Sequence, residues 1–234
     1  MRKTTAIIIG LLVAAIVIIA GQSYLQKKAW TDAVSKLDVW AIQEGNEYNG
    51  GIGDIVIGNK DAKVKIIEYA DFQCSACAIT FPYIHDVVEE YGDKIAYIYR
   101  TYAINYHQNA TAASTSVIAA HNQGYFSEYA KIMFANQNDW FYSEGKDRDR
   151  QFEEYFITAT NGKGDVEKYR EELKSSNIKN KIAVDREFAN RVNLSGTPLI
   201  FINKEKFDIE SSKESEFKAS FKKRIDTALE EAEK

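Results

Sequence analysis

The stretch Glu68-Tyr69-Ala70-Asp71-Phe72-Gln73-Cys74-Ser75-Ala76-Cys77 decides how this chain is read. Val64, Ile66 and Ile67 are β-branched, so Lys63 to Ala70 reads as a strand. Ile79, Ile84, Val87 and Val88 recur along Cys77 to Tyr91, which reads as a helix ended by Gly92. Two cysteines three positions apart therefore lie where a strand stops and a helix starts. A helix N-terminus carries free N–H groups and a partial positive charge. A thiolate there is stabilised, and the first cysteine falls into the range of about 3.5–7.5 found for activated thiols. Such a thiolate is also a good leaving group in disulfide exchange. Cys77, one turn into the helix, is expected to be buried and to act as the resolving thiol.

These are the chain's two cysteines in 234 residues, so no structural disulfide framework accompanies them. A Cys-x-x-Cys pair also suits half a zinc site or a static disulfide. The zinc reading needs two more ligands, and His85, His107 and His121 show no paired spacing. A static disulfide closing so short a loop gains little stability from loop entropy.

Outward from the motif, Ile95 to Tyr99 reads as a second buried strand. Gln108 to Asn193 is helical, broken by Gly124, by residues 136–149 and by residues 161–164 into four or five helices. Leu199 to Ile202 is another apolar strand, and Phe207 to Ile209 a short edge strand. Phe217, Phe221, Ile225 and Leu229 place a C-terminal helix over Glu214 to Glu231. This order predicts an α/β fold: a small sheet with a helical domain inserted at about 108–193. The chain has two prolines. Pro82 reads as a kink in the first helix of the sheet domain. Pro198, in Gly196-Thr197-Pro198, stands at the start of a strand, where proline holds a tight, often cis, turn.

At the N-terminus, Arg2 and Lys3 precede an uncharged apolar run from Ala6 to Ala20. Extended to Tyr24 by uncharged residues, the run reaches the length of about 17–25 residues that a spanning helix needs. Residues 1–25 are therefore expected to form a cytoplasmic tip and a single transmembrane anchor. A signal peptide cut after Ala20 is the competing reading. The basic end should stay cytoplasmic, although Lys27 and Lys28 weaken the asymmetry, and the rest of the chain should lie outside. Both readings place the cysteines in an oxidising compartment. Residues 26–53 read as a linker: a short helix up to Trp40, then four glycines and two asparagines between Glu44 and Gly53. Residues 54–234 form the expected catalytic domain. The net charge of −4 and the lack of a basic stripe exclude a nucleic-acid binder.

The cysteine segment and Val192-Asn193-Leu194-Ser195-Gly196-Thr197-Pro198-Leu199-Ile200-Phe201-Ile202-Asn203 resemble the two signature segments of the DsbA family. Between them, Gln123-Gly124-Tyr125-Phe126 and Met133-Phe134-Ala135-Asn136-Gln137 resemble the inserted helical domain of its Gram-positive and actinobacterial type. The resemblance covers roughly Asp54 to Lys234. It implies a thioredoxin-like sheet with an inserted helical domain behind a single N-terminal transmembrane helix. It also implies an extracytoplasmic, membrane-anchored dithiol oxidase without cofactor or metal. Cys74 and Cys77 would be catalytic, Thr197 and Pro198 would bind the substrate backbone, and Ser75 and Ala76 would flank the sulfurs.

Glu68 matches the buried acid that thioredoxin-like proteins use to move a proton at the second cysteine. Its plain alternative is an exposed glutamate at a strand edge. The implied partners are exported proteins with reduced cysteines and a quinone-linked membrane reoxidase of the DsbB or VKOR kind, with the chain itself a monomer. The chain departs from the family in two places. Ser75-Ala76 replaces the best-known inner pair, Pro-His, so no imidazole stabilises the thiolate, and Lys204 replaces the usual glycine after Asn203. Thr197 before the proline is shared by oxidases and isomerases. A reductase or isomerase of the same fold, and a non-catalytic binding or metal-carrier module, remain the alternatives.

Overall fold

The computed structural model describes residues 2–234; Met1, at the expected cytoplasmic tip, and the side chains of Arg2, Lys3, Thr4 and Ala6 lie outside the described residues. The chain divides into two compact units, residues 1–38 and 39–234.

The first unit is built on one helix, α1 (Arg2–Val34). Its Ile7–Val34 portion is long and apolar enough to cross a membrane; the most apolar 18-residue stretch within it has a mean hydropathy of 2.3 and is unburied. The helix runs past Tyr24, where the apolar run ends. Gln26-Lys27-Lys28-Ala29 are strong helix formers, and no glycine or proline interrupts the chain from Gln22 to Glu44.

The second unit carries a five-stranded sheet in the order β1-β3-β2-β4-β5. The strands are β1 (Ile55–Gly58), β2 (Val64–Ala70), β3 (Ile95–Thr101), β4 (Leu199–Ile202) and β5 (Glu205–Phe207). β2 and β3 are parallel, while β1 on β3, β4 on β2 and β5 on β4 are antiparallel. β1 was not legible in the sequence: four residues give too little alternation to register, and its pairing with β3 defines it. β5 starts two residues before the expected edge strand, because Asn203 and Lys204 make the tight turn with φ of 47° and 73°. Lys204 thus holds a left-handed conformation that glycine would adopt without steric cost.

The connection from β2 to β3 is α2 (Ser75–Tyr91), which contains Pro82 and ends at Gly92 with φ 51°. Between β3 and β4 the described residues form six helices where the sequence suggested four or five. They are α3 (Ala110–His121), α4 (Phe126–Ala135), α5 (Gln137–Trp140), α6 (Gly145–Ala159), α7 (Val166–Glu172) and α8 (Ser176–Arg191). The extra break comes at 173–175, where Ser175 caps α8 by accepting from the Asn177 amide. The chain closes with α9 (Glu214–Glu233).

Alternation along the strands divides the core. Val64, Ile66 and Ala70 of β2, with Ile95, Tyr97 and Tyr99 of β3, join one apolar cluster with Ile84 and Val88 of α2 and Phe217, Phe221 and Ile225 of α9. On the other face, Arg100 of β3 is fully buried. It donates to Asp54 Oδ2 at 2.7 Å, to the Val39 and Ala41 carbonyls at 2.5 and 2.8 Å, and to Tyr69 Oη at 3.0 Å. Lys181 of α8 bridges Asp54 Oδ1 at 2.8 Å and Asp185 Oδ1 at 2.6 Å, and Asp185 accepts from the Thr101 amide at 3.2 Å.

Residues 39–53, whose composition suggests a linker, are therefore held in place. Gln43 and Asn49 are buried as well, and a Cβ at Gly50 would meet the Asn177 backbone at 2.4 Å. Gly50 thus packs closely against α8, while Gly45 and Gly53 pack against the backbone of the segment itself.

Removing one member of this cluster strands a buried charge. Asp54→Ala leaves Arg100 and Lys181 without their shared partner and should destabilise the fold by about 3–5 kcal/mol. Breaking the exposed Lys131–Glu89 pair should change stability by less than about 1 kcal/mol. Urea unfolding of the two variants, followed by tryptophan fluorescence, measures the difference.

Candidate active site

β2 ends at Ala70 and α2 begins at Ser75, so Cys74 is the N-cap residue, with extended backbone at φ −79° and ψ 122°. The helix starts two residues before Cys77, where apolar periodicity first shows it, because Ser75 and Ala76 form an exposed first turn. Both sulfurs are free thiols; Cys74 is half-buried and Cys77 is 0% exposed.

No side-chain oxygen caps α2. The Cys74 thiol is lowered to about 5, first by the hydrogen bond from Cys77 and further by the amides of Cys77 and Ala76, against the effect of its partial burial. Burial, together with the neighbouring Cys74 sulfur, pushes the Cys77 thiol well above its ordinary value. The two thiols thus diverge: one is a thiolate at neutral pH and the other holds its proton.

The Thr197–Pro198 peptide is cis. Cys74 Sγ lies 3.4 Å from the Thr197 carbonyl oxygen, to which it donates when protonated. The structure therefore brings together Cys74, Cys77 and Thr197–Pro198, which are 123 positions apart between Cys74 and Thr197.

Glu68, on the sheet face beneath α2, is 1% exposed and does not lie at an open strand edge. Tyr97 Oη donates to its Oε2. Burial raises the Glu68 carboxyl to about 7, partly offset by that hydrogen bond. Ser75 and Ala76 are both exposed and leave the sulfur open on that side.

Several residues that hold the site were given no role by the sequence. Asp71 Oδ1 accepts from the Gln73 amide at 2.8 Å; its Oδ2 accepts from the Ile104 amide and meets His107 Nδ1, both at 2.8 Å. Gln73 accepts from the Asn109 amide at 2.7 Å and donates to the Phe141 carbonyl at 2.9 Å. Gln137 donates to the carbonyls of Phe72 and Cys74 at 2.8 and 3.1 Å. These bonds tie the cysteine loop to the helical block. Asp71 and Gln73 stand inside the motif, so polar residues there could have been flagged; Gln137 and Asn109 carry no local signal. His85 is buried and lies over Phe81 with ring centres 3.8 Å apart. Among the described residues no three His, Cys, Asp or Glu side chains converge on a metal-sized site.

A family model described as thioredoxin matches residues 51–223. The chain belongs to this thioredoxin family. Of the curated relatives, the Na(+)/H(+) antiporter NhaA 1 of Mycolicibacterium gilvum is 29% identical over 153 residues, 64% of this chain and 23% of the antiporter. The chain thus spans about a quarter of the length of such relatives. A probable disulfide bond formation protein D of Bacillus cereus is 25% identical over 165 residues, covering 68% of this chain and 74% of that protein. Among solved structures, oxidised BdbD from Bacillus subtilis superposes with a TM-score of 0.60 at 18% identity, over 81% of this chain and 98% of that one. The thioredoxin-like sheet with helices inserted between β3 and β4 thus shares its fold with BdbD.

For this thioredoxin-like chain, ultraviolet titration of the reduced protein should find Cys74 half-ionised near pH 5. The folded-state value is depressed below that of an unfolded thiol, about 8.5. The stability that the thiolate adds to the reduced form is therefore fully present above that value and is lost as pH falls through about 5. Comparing the unfolding midpoints of the reduced and oxidised forms across this window checks the sign.

Proposed function

We propose that the chain is an extracytoplasmic thiol-disulfide oxidoreductase that introduces disulfides into exported proteins through Cys74 and Cys77. The observation that carries this reading is the split between the two sulfurs: a stabilised Cys74 thiolate at the mouth of α2 and a buried, protonated Cys77 behind it. A substrate thiolate attacks Cys74 of the oxidised pair, and Cys77 leaves. The substrate's second thiolate then attacks the mixed disulfide and expels Cys74, whose thiolate is a good leaving group. The oxidised substrate departs and the enzyme keeps both electrons as a dithiol. The Thr197 carbonyl lies 3.4 Å from Cys74 Sγ; Thr197 and Pro198 would bind the substrate backbone there, and the exposed Ser75 and Ala76 would give access. A quinone-linked membrane partner of the DsbB or VKOR kind would restore the disulfide. No cofactor or metal is required of the chain itself, which would act as a monomer.

A stabilised Cys74 thiolate favours the dithiol and makes the disulfide oxidising. Between reference couples of about −270 mV for thioredoxin and about −120 mV for DsbA, we place this couple at roughly −120 to −190 mV, the missing imidazole at Ala76 holding it below the extreme. The full-length protein in detergent should catalyse oxidative folding of a reduced, denatured disulfide protein, and Cys74→Ala should abolish this. Equilibration with glutathione measures the potential. A value near that of thioredoxin, with a Cys74 pKa above 7, would favour the reductase reading instead.

Residues 1–25 are proposed to hold the protein in the membrane, with residues 26–53 leading to the catalytic domain at 54–234. The support is the long unburied apolar helix behind a basic end. The mature protein should fractionate with membranes and keep its N-terminus. N-terminal sequencing that begins at Gly21 would instead identify a signal peptide.

A further inference from the structure

One buried cluster beneath Cys74 collects four groups able to hold protons: Glu68, Cys77, Tyr97 and Tyr99. Glu68 of β2 stands opposite Tyr99 of parallel β3, and Ile66 opposite Tyr97, so Glu68, Tyr97 and Tyr99 share the face covered by α2. Tyr97 and Tyr99 are 0% exposed and Glu68 is 1% exposed. Tyr97 Oη donates to Glu68 Oε2, whereas the Tyr99 hydroxyl has no partner. Cys77 of α2 is fully buried in the same apolar cluster as Tyr97 and Tyr99 and interacts electrostatically with both and with Glu68.

The remaining neighbours supply no counter-charge. β4 places Ile200 opposite Glu68, and the buried side chains of α9 are apolar. His85 of α2, edge-on to Tyr97 at 5.3 Å, is held neutral by burial. Asp71 beyond the strand end adds a further negative charge near Tyr99. A carboxylate at Glu68 therefore depends on a single side-chain donor.

Building on the thiol-disulfide reading above, we propose that Tyr97 is a positioning residue: its hydroxyl orients Glu68 and stabilises its carboxylate, setting the pH at which Glu68 exchanges a proton with Cys77. When a substrate thiolate attacks Cys74, a substrate–Cys74 bond forms and the Cys74–Cys77 bond breaks. Cys77 takes the electron pair, and the Glu68 carboxyl gives it a proton. In reverse, the Cys77 thiol returns that proton to the Glu68 carboxylate and attacks Cys74, expelling the substrate thiolate. Tyr97 keeps the carboxylate form accessible without carrying charge itself, since burial holds its phenol protonated.

The test is the pH dependence with which Cys77 resolves a preformed Cys74–glutathione mixed disulfide in the full-length protein. Tyr97→Phe removes one buried oxygen. It should move the midpoint up by about one to two pH units, slowing resolution on the acid side by about tenfold or more. Glu68→Gln should abolish this ionisation, and adding Tyr97→Phe to it should produce no further shift. A fluorinated, more acidic tyrosine placed at position 97 keeps the ring, strengthens the donor and should move the midpoint down.

Infrared difference spectra, with the carboxyl band assigned through Glu68→Gln, read the Glu68 titration directly. If the wild-type mixed disulfide is not resolved, the redox reading fails, while the infrared shift in Tyr97→Phe still decides the hold of Tyr97 on Glu68. An unchanged Glu68 titration in Tyr97→Phe, or an equal midpoint shift in the Glu68→Gln background, overturns the proposal.

Discussion

Two positive and two negative charges, Arg100, Lys181, Asp54 and Asp185, lie inside the second unit, and each is tolerable only because the others are there. Isolated burial of any one would cost several kcal/mol. Their positions explain why three separate parts of the chain stay together. Asp54 comes from the approach to β1, Arg100 from the middle of the sheet, and Lys181 and Asp185 from the last helix of the inserted block. Burial raises both carboxylates, but their net shifts are opposite: the two cations outweigh it at Asp54 and hold that carboxyl well below the usual range, while at Asp185 desolvation outweighs Lys181 and raises the carboxyl to about 6. With α8 fixed against β3, the rest of the block is placed where Asn109 and Gln137 can reach the cysteine loop.

The same opposition between burial and local donors separates the two sulfurs. Both thiols lose solvent, which favours the neutral form. Cys74 recovers more than it loses, because Cys77 and the first amides of α2 all donate to it. Cys77 sits one turn deeper, where burial dominates and the Cys74 sulfur adds to it. The stabilisation of Cys74 therefore needs no imidazole in the inner pair. Ser75 and Ala76 are left exposed, so the pair can differ in sequence without removing the main donors.

The polar groups around the site fall into two sets. Asp71, Gln73, Asn109 and Gln137 are buried and bonded to the backbone of the loop and of the helical block, which makes the loop rigid. Glu68 below them has one side-chain donor, and Tyr99 Oη and His85 Nε2 have none. A buried unpaired polar group costs about 1–3 kcal/mol. The fold thus satisfies the groups that position the cysteines and under-satisfies those beneath them, where a carboxyl near 7 can exchange a proton at neutral pH.

What the sequence determined by itself is local. The strand before the cysteines, the helix after them, the strand following Pro198 and the final amphipathic helix all show in periodicity and end signals within ten to twenty residues. The cysteine pair could be placed at a helix start for the same reason, and so could the apolar N-terminal helix. What the tertiary structure decided rests on pairs that no local pattern encodes. Tyr97 meets Glu68 across 29 positions, Gln137 reaches Cys74 across 63, and Lys181 meets Asp54 across 127. β1 exists through its register with β3, and residues 39–53 are ordered by Arg100 and α8 although their composition is that of a linker. Periodicity reports which face of an element is apolar; which polar group meets which inside the fold is set by strand register and helix docking.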